Sequence, residues 1–118
     1  MNKISKKYIY KICTITEWNI TLIKKIYYGN KLDLLDKYIH FSSAEQVEET
    51  LRIHFLQVTN LCLLKVSTKG LNIKWEKARN GKYFPHLYAA LDIKQIYAVI
   101  KLIKNSKGSY DISSLKLK

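Results

Sequence analysis

Hydrophobic residues occur along this chain in short runs that are separated by polar connections. Five runs have the length and the Val, Ile, Leu, Tyr and Phe content that are typical of β-strands: residues 8–13, 38–41, 61–66, 72–76 and 96–103. The dipeptide Asn80-Gly81 predicts a tight hairpin turn after the fourth run. Residues 31–37 follow neither the strand nor the helix period, so we expect an irregular connection there.

Two helices are predicted from capping patterns. Thr14 and Glu17 have the three-residue spacing of a capping box and directly follow the first strand. Ser42 and Glu45 repeat that spacing after the second strand, where apolar residues recur with helical period to about residue 56. Strands and helices mixed in this order predict a compact α+β fold.

The chain is long enough for one small domain, since it has 118 residues of which 47% are hydrophobic. We expect a basic N-terminal extension in residues 1–7, the domain in residues 8–103 and a weakly ordered basic tail in residues 104–118. No apolar run approaches the roughly 18 residues that span a bilayer, and the apolar segment of a secretory signal is absent. A cytoplasmic protein without a membrane partner is therefore expected.

The net charge of +12 suggests an anionic ligand, because a field of this sign steers phosphate-bearing molecules. Most of the positive excess lies in residues 61–118. Nucleic acid is a less favoured partner, since only Arg52 and Arg79 supply the guanidinium fork that reads bases and phosphates. A solvated, lysine-rich surface explains the same composition without any partner.

Motifs of the common catalytic and metal-binding families are absent from the sequence. The four glycines are scattered rather than gathered into a phosphate-binding loop, and no His or Cys spacing matches a zinc site. Cys13 and Cys62 both lie inside apolar runs, so we expect buried hydrophobic residues. A disulfide or a metal pair is the alternative for these two cysteines.

Three polar side chains are candidate catalytic residues: His40, Glu76 and His86. His40 alternates with Ser42, so both lie on one face where the second strand meets a helix start. His86 follows Pro85, whose fixed φ angle makes the local backbone stiff. We expect both imidazoles and the serine hydroxyl to line one pocket. The alternative is that the histidines are structural and that Glu76 is a surface ion-pair residue.

Several motifs occur in an order that resembles the domain-of-unknown-function 952 family of small bacterial proteins: Glu17-Trp18, Tyr28-x-x-x-x-Asp33, Tyr38-Ile39-His40-Phe41-Ser42-Ser43-Ala44-Glu45-Gln46, Trp75-Glu76 and Phe84-Pro85-His86-Leu87-Tyr88. The resemblance covers roughly residues 8 to 102. It implies a small single α+β domain of the ADP-ribosyltransferase-like fold group, with two short packed β-sheets and two to three helices. It also implies a cleft that binds NAD or another ADP-ribose-bearing phosphate ester.

The resemblance also implies roles for particular residues. His40, Glu76 and His86 would be catalytic, with the Glu76 carboxylate orienting the acceptor or stabilising an oxocarbenium-like state. Lys11 stands where relatives often have histidine and would meet a phosphate. The two tyrosines among the binding candidates would stack on a nicotinamide or adenine ring. The candidates for substrate binding are Lys11, Tyr28, Ser42, Gln46, Arg79 and Tyr88.

Three functions stay open. The first is an enzyme, or a degenerate enzyme, that acts on NAD or a phosphorylated ribose as an ADP-ribosyltransferase-like transferase. The second is a module that binds a nucleotide-like or phosphate ligand in the same cleft without turnover. The third is a basic RNA-associating protein that uses Lys77, Arg79, Lys82 and the tail, and its affinity would fall steeply with salt.

Overall fold

The structure is a computed structural model that describes residues 5–118. These residues form, in chain order, β1 (Tyr8–Thr14), α1 (Ile15–Lys24), β2 (Ile26–Tyr27), α2 (Lys31–Asp36), β3 (Ile39–His40), α3 (Val47–His54), β4 (Leu61–Ser67), β5 (Ile73–Lys77), β6 (Tyr83–Leu87), β7 (Leu91–Asp92) and β8 (Ile96–Lys101). Short 3-10 helices cover Ala44–Gln46, Ile93–Gln95 and Ser113–Leu115. The predicted α+β class is confirmed. Most of the expected N-terminal extension, residues 1–7, lies outside the described residues.

The strands of the described chain form three antiparallel sheets, not the two that were expected. The strand order is β1-β4-β8 in the first sheet, β2-β7 in the second and β3-β6-β5 in the third. β2 and β7 are two residues long each, which is too short for an alternating pattern to show in the sequence. The second sheet is therefore a product of long-range pairing that local pattern does not encode.

The first sheet separates two groups of buried side chains, because alternate residues of a strand point to opposite faces. On one face, Ile9 packs in a cluster with Ile39 and Leu87 of the third sheet. On the other face, Tyr10 packs in a cluster that includes residues of α3 together with Tyr110 and Ile112. The third sheet contributes only one of its faces to this core, so its other face is available for polar side chains.

The end of the chain contacts the domain through two buried residues, although most of residues 104–118, the expected weakly ordered tail, are exposed. Tyr110 and Ile112 are 8% and 7% exposed and belong to the cluster beneath α3. The hydroxyl of Tyr110 donates a hydrogen bond to the carbonyl of Val58. The polar composition of residues 104–118 gave no indication that these two apolar residues, which are two positions apart, both reach the core.

Residues 31–37 consist mostly of a helix, so the expected irregular connection was wrong. Asn30 caps α2: its Oδ1 accepts the N–H of Asp33 at 2.9 Å, and Asp33 Oδ2 accepts the N–H of Asn30 at 2.8 Å. This is a capping box built from Asn and Asp. Gly29 precedes it with a φ of +106°, and a Cβ there would lie 2.6 Å from the Cβ of Asp33. Only glycine permits this approach.

The predicted cap of α1 is confirmed, whereas the second predicted cap is displaced by one residue. The N–H of Ser43 donates to Gln46 Oε1 at 3.0 Å, so these two residues take the places expected for Ser42 and Glu45. Ser42 instead exchanges two backbone hydrogen bonds of 2.8 Å with Tyr10. This pairing keeps Ser42 extended, and the helical turn begins one residue later.

β5 and β6 are joined through the predicted turn at Asn80-Gly81, where Gly81 has a φ of +84°. The N–H of Gly81 donates to the carbonyl of Ala78 at 2.9 Å and closes the turn. All five predicted strands are present, and their ends are displaced by at most two residues. β6 carries the second histidine motif next to the first.

Candidate active site

His40 and His86 lie side by side on the third sheet. They are directly opposite each other in the antiparallel pair of β3 and β6, and their ring centroids are 5.3 Å apart. Residues directly opposite each other share a face of a sheet. Their neighbours Ile39 and Leu87 are buried on the opposite face. The two imidazoles therefore come together, as expected.

Two carboxylates hold the ring of His40. Its Nδ1 lies 2.6 Å from Asp33 Oδ1, and its Nε2 lies 2.9 Å from Asp36 Oδ2. An ionised carboxylate accepts hydrogen bonds and donates none, so both ring nitrogens must act as donors in these contacts. The two contacts are complete only in the imidazolium form of His40.

Asp33 connects His40 to the interior of the domain. It forms a buried ion pair of 2.8 Å with Lys11, whose ammonium also donates to the carbonyl of His40 at 2.8 Å. Burial by itself would raise the pKa of Asp33, but the hydrogen bond with His40 and the charge of Lys11 lower it to about 2. Burial lowers the pKa of Lys11, and Asp33 opposes that effect. Lys11 thus neutralises a buried carboxylate and is not placed to meet a ligand phosphate.

His86 is held by a carboxylate from the neighbouring strand. Its Nδ1 lies 2.7 Å from Glu76 Oε1, which also accepts the hydroxyl of Tyr88 at 2.7 Å. Burial lowers the pKa of His86, the hydrogen bond to Glu76 acts in the opposite direction, and the charge of His40 lowers it further. A neutral His86 donates from Nδ1 to Glu76 and keeps a lone pair on Nε2.

Tyr38 lies against both histidines. Its ring centroid is 4.5 Å from that of His40, 4.2 Å from that of His86 and 4.9 Å from that of Tyr88. These contacts fix the two imidazoles relative to each other and add an aromatic surface beside them. Tyr88 is about half exposed, so this surface reaches solvent.

Asp33, Asp36 and Tyr38 are site residues to which no role was assigned from the sequence. Tyr38 alternates with His40 along the strand, and this spacing was a usable signal for a shared face. Asp33 belongs to one of the motifs of the family resemblance, which also marks it. Asp36 carries no comparable signal, because only the helix of α2 brings its carboxylate to His40.

Ser42 and Gln46 do not join the two histidines. The Ser42 side chain is buried, and its hydroxyl lies 3.2 Å from the hydroxyl of Thr50. Gln46 accepts the Ser43 N–H and donates to the carbonyl of Tyr83 at 2.7 Å. Both side chains secure the start of α3, so the expectation of one pocket shared by Ser42 and the histidines was wrong.

Two cavities of the domain lie away from the histidines. Tyr28 lines a cavity of about 170 Å³ beside α1, and a larger one of about 410 Å³ lies between α3 and residues 105–111. Neither cavity is lined by His40 or His86. Arg79 is exposed next to the β5–β6 turn. The candidate site is therefore the polar face of the third sheet, and Tyr88 is the predicted binding residue that lies on it.

The two cysteines are buried, as predicted. They lie opposite each other in β1 and β4, with their sulfur atoms 3.5 Å apart as free thiols. Within residues 5–118, no group of three or more His, Cys, Asp or Glu side chains is arranged to hold a metal ion. No helix in the described part of the chain is long and apolar enough to cross a membrane.

The chain is a small α+β domain that carries two carboxylate-bonded histidines on one sheet face. The chain belongs to the family described as "Protein of unknown function (DUF952)", whose model matches residues 12–99. This match confirms the family that the sequence motifs resemble.

Solved structures of protein CC0527 from Caulobacter crescentus are similar to this chain. The crystal structure has a TM-score of 0.85 and 34% sequence identity, and the match covers 92% of this chain and 96% of that one. The solution NMR structure has a TM-score of 0.83 and 33% identity, with 93% and 97% coverage. No curated protein matches. The resemblance to the ADP-ribosyltransferase-like group stays a prediction beside these findings.

Proposed function

We propose that this protein is an enzyme that transfers protons in a reaction on a phosphorylated ribose, with NAD as the first compound to test. The observation that carries the proposal is the pair of imidazoles on one face, each with its Nδ1 bonded to a carboxylate. A carboxylate at Nδ1 fixes the ring and directs Nε2 towards proton transfer, as general acid–base catalysts require.

The two histidines suit opposite halves of a proton transfer. His86 has a lowered pKa, mainly through burial, so it is neutral at pH 7 and its Nε2 accepts a proton. His40 completes both of its carboxylate contacts as an imidazolium and has a proton to give. His86 would deprotonate a hydroxyl or water nucleophile, whose oxygen bonds to the ribose carbon as the bond to the leaving group breaks. Nicotinamide leaves NAD as a neutral molecule and needs no proton, whereas an oxygen leaving group of another ribose ester would take its proton from His40.

Glu76 acts in this scheme as a positioning residue, which differs from the catalytic role expected for it. Its Oε1 already accepts hydrogen bonds from His86 and Tyr88. Tyr38 and Tyr88 offer ring surfaces beside the histidines on which a nicotinamide or adenine ring would stack.

A second candidate function is ligand binding at the same face without turnover. It is favoured by the contact between His40 Nε2 and Asp36 Oδ2, which occupies the nitrogen that would serve as the acid. Turnover therefore requires this contact to open.

A steep fall of affinity with salt would instead favour the RNA-associating alternative, in which Lys77, Arg79 and Lys82 neutralise phosphates.

The proposal is tested by incubating the protein with NAD and with ADP-ribose and separating the products by chromatography. We expect nicotinamide release or ribose-phosphate turnover in the wild type, and its loss in His86→Ala. His54→Ala is the matched control, because His54 is an exposed histidine on α3, away from the site. The rate should rise with pH through the lowered pKa of His86, since only the neutral ring accepts a proton. Binding without turnover would replace this function with that of a binding module.

A further inference from the structure

Three side chains form a row across the polar face of the third sheet. His40 is directly opposite His86, and His86 is directly opposite Lys74 of β5. Directly opposite residues in antiparallel strands share a face, with Cβ atoms about 4.5–5.5 Å apart. The ammonium of Lys74 therefore belongs to the same surface as the two imidazoles, on the side of His86 away from His40.

Lys74 differs from the other charged groups of this surface in having no ionic partner. Asp33 is paired with Lys11, Asp36 contacts His40, and Glu76 accepts the hydroxyl of Tyr88 in addition to His86: these are the carboxylates that face the row. Lys74 is exposed, and no acidic group of residues 5–118 lies within 4 Å of its ammonium. An unpaired cation at the end of the histidine row is available to an anion in solution.

We propose that Lys74 binds the phosphate of the ligand at this face and makes the site selective for phosphorylated compounds. This inference rests on the proposed function, because it names the residue that selects the substrate class of the same site. A lysine ammonium is a compact charge on a flexible stem, which suits a phosphate whose position varies among ligands. A phosphate held there would lie beside the base His86 and place the attached ribose over the row.

In a purely structural alternative, Lys74 only stabilises the ionised carboxylate of Glu76. The two residues are two positions apart on one face of β5. The pKa of Glu76 is lowered chiefly by the hydrogen bonds from Tyr88 and His86, and the charge of Lys74 adds a smaller effect in the same direction. In that case the lysine would only support the carboxylate that holds His86. The two roles differ in one measurable respect: a support role affects every ligand of the site, whereas a phosphate contact affects phosphorylated ligands alone.

The test is titration of the full chain at low ionic strength with inorganic phosphate, ADP-ribose and adenosine, following the imidazole signals of His40 and His86 by NMR. Lys74→Ala should weaken phosphate and ADP-ribose binding about tenfold, as expected for loss of a charge-assisted contact, and should leave adenosine binding unchanged. Lys74→Arg should restore most of the affinity. Lys77→Ala is the matched control, since it removes the same charge from the same strand at an odd spacing, on the opposite face.

Three sets of results overturn the proposal, two from binding and one from turnover. The first is no binding of phosphate or ADP-ribose to the wild type, or equal weakening by Lys74→Ala and Lys77→Ala, which indicates a diffuse field. The second is equal weakening of adenosine and ADP-ribose in Lys74→Ala, which indicates the support role. If Lys74→Ala removes phosphate binding but the wild type turns over neither NAD nor ADP-ribose, the enzyme proposal fails and this one stands. If turnover persists in Lys74→Ala with unchanged KM, this inference fails and the enzyme proposal stands.

Discussion

Two carboxylate–histidine pairs lie side by side at the third sheet. Each has a hydrogen bond between a carboxylate oxygen and Nδ1 of the imidazole, but the two carboxylates differ in burial. Asp33 lies 2.6 Å from Nδ1 of His40, and Glu76 lies 2.7 Å from Nδ1 of His86. The side chain of Asp33 is 1% exposed, however, whereas that of Glu76 is 40% exposed. Burial, and not the chemical identity of the pair, therefore distinguishes a carboxylate that supports the fold from one whose contacts can change at the surface.

The electrostatic environments of the two carboxylates follow from this difference. A buried carboxylate needs a compensating charge, and Lys11 supplies it to Asp33 from the middle of β1. Glu76 is solvated, and its pKa is lowered by hydrogen bonds, first from Tyr88 and then from His86. The Asp33–His40 pair therefore contributes to the stability of the domain, whereas the Glu76–His86 pair affects the chemistry of the site.

The largest expected effect is on the buried pair. Asp33→Ala leaves the ammonium of Lys11 buried without its partner, which should lower the free energy of unfolding by about 3–5 kcal/mol. Asp36→Ala is the control, because it removes a carboxylate from the same helix that is 39% exposed, and it should cost about 1 kcal/mol or less. Urea unfolding measures both. Equal losses in the two variants would contradict the role given to burial.

The Glu76–His86 pair, whose carboxylate is exposed, should respond in rate rather than in stability. His86→Ala should lower turnover about 10²–10⁴-fold, the usual contribution of a general base. The unfolding midpoint in urea should change far less than in Asp33→Ala. Glu76→Gln keeps the shape of the positioning residue and should lower the rate by a smaller factor. A variant of His86 that unfolds as easily as Asp33→Ala would show that both pairs are structural.

The acid stability of the protein should depend on the buried pair. Asp33 has a usual pKa of 3.8 that folding lowers to about 2, so the unfolded chain takes up the proton first as pH falls. The stability from this group is present above about pH 4 and is lost towards pH 2, amounting to about 2 kcal/mol. Urea unfolding at several pH values between 5 and 2 measures it. Asp33→Asn should lack this part of the pH dependence, and a slope equal to that of the wild type would refute the assignment.

The smallest expected effect is on the titration of the exposed carboxylate. Tyr88→Phe removes the hydrogen bond that contributes most to lowering the pKa of Glu76, so that pKa should rise. The pKa of Tyr88 itself is raised to about 12 by the same bond, so the hydroxyl stays protonated across the pH range in which carboxyl groups titrate. Carboxyl NMR titration follows Glu76 and Asp33 in one experiment. A shift in Asp33 as large as that in Glu76 would mean that the two pairs are not independent.

Local signals in the sequence were sufficient for much of the fold. The five predicted strands (β1, β3, β4, β5 and β8), the Asn80-Gly81 turn and the cap of α1 depend on residues within a few positions of each other, whereas β6 was not predicted. The paired placement of His40 and His86 also followed, because each lies in a polar motif that core packing does not require. α2 was missed because its capping box uses Asn and Asp, and the cap of α3 was displaced because Ser42 and Ser43 are adjacent.

The tertiary structure alone decided which charged groups belong to the site. Lys11 is expected from sequence to face a ligand, yet the pairing of β1 with β4 buries it against Asp33, and Lys74 reaches the site through the register of β5. The register of these strands is set by the packing of the two apolar clusters, whose residues lie far apart in the chain. A slip of one residue would turn His40 and His86 into the core. Local sequence patterns determined most of the longer elements and the chemistry they carry, whereas long-range packing determined the second sheet and which side chains meet.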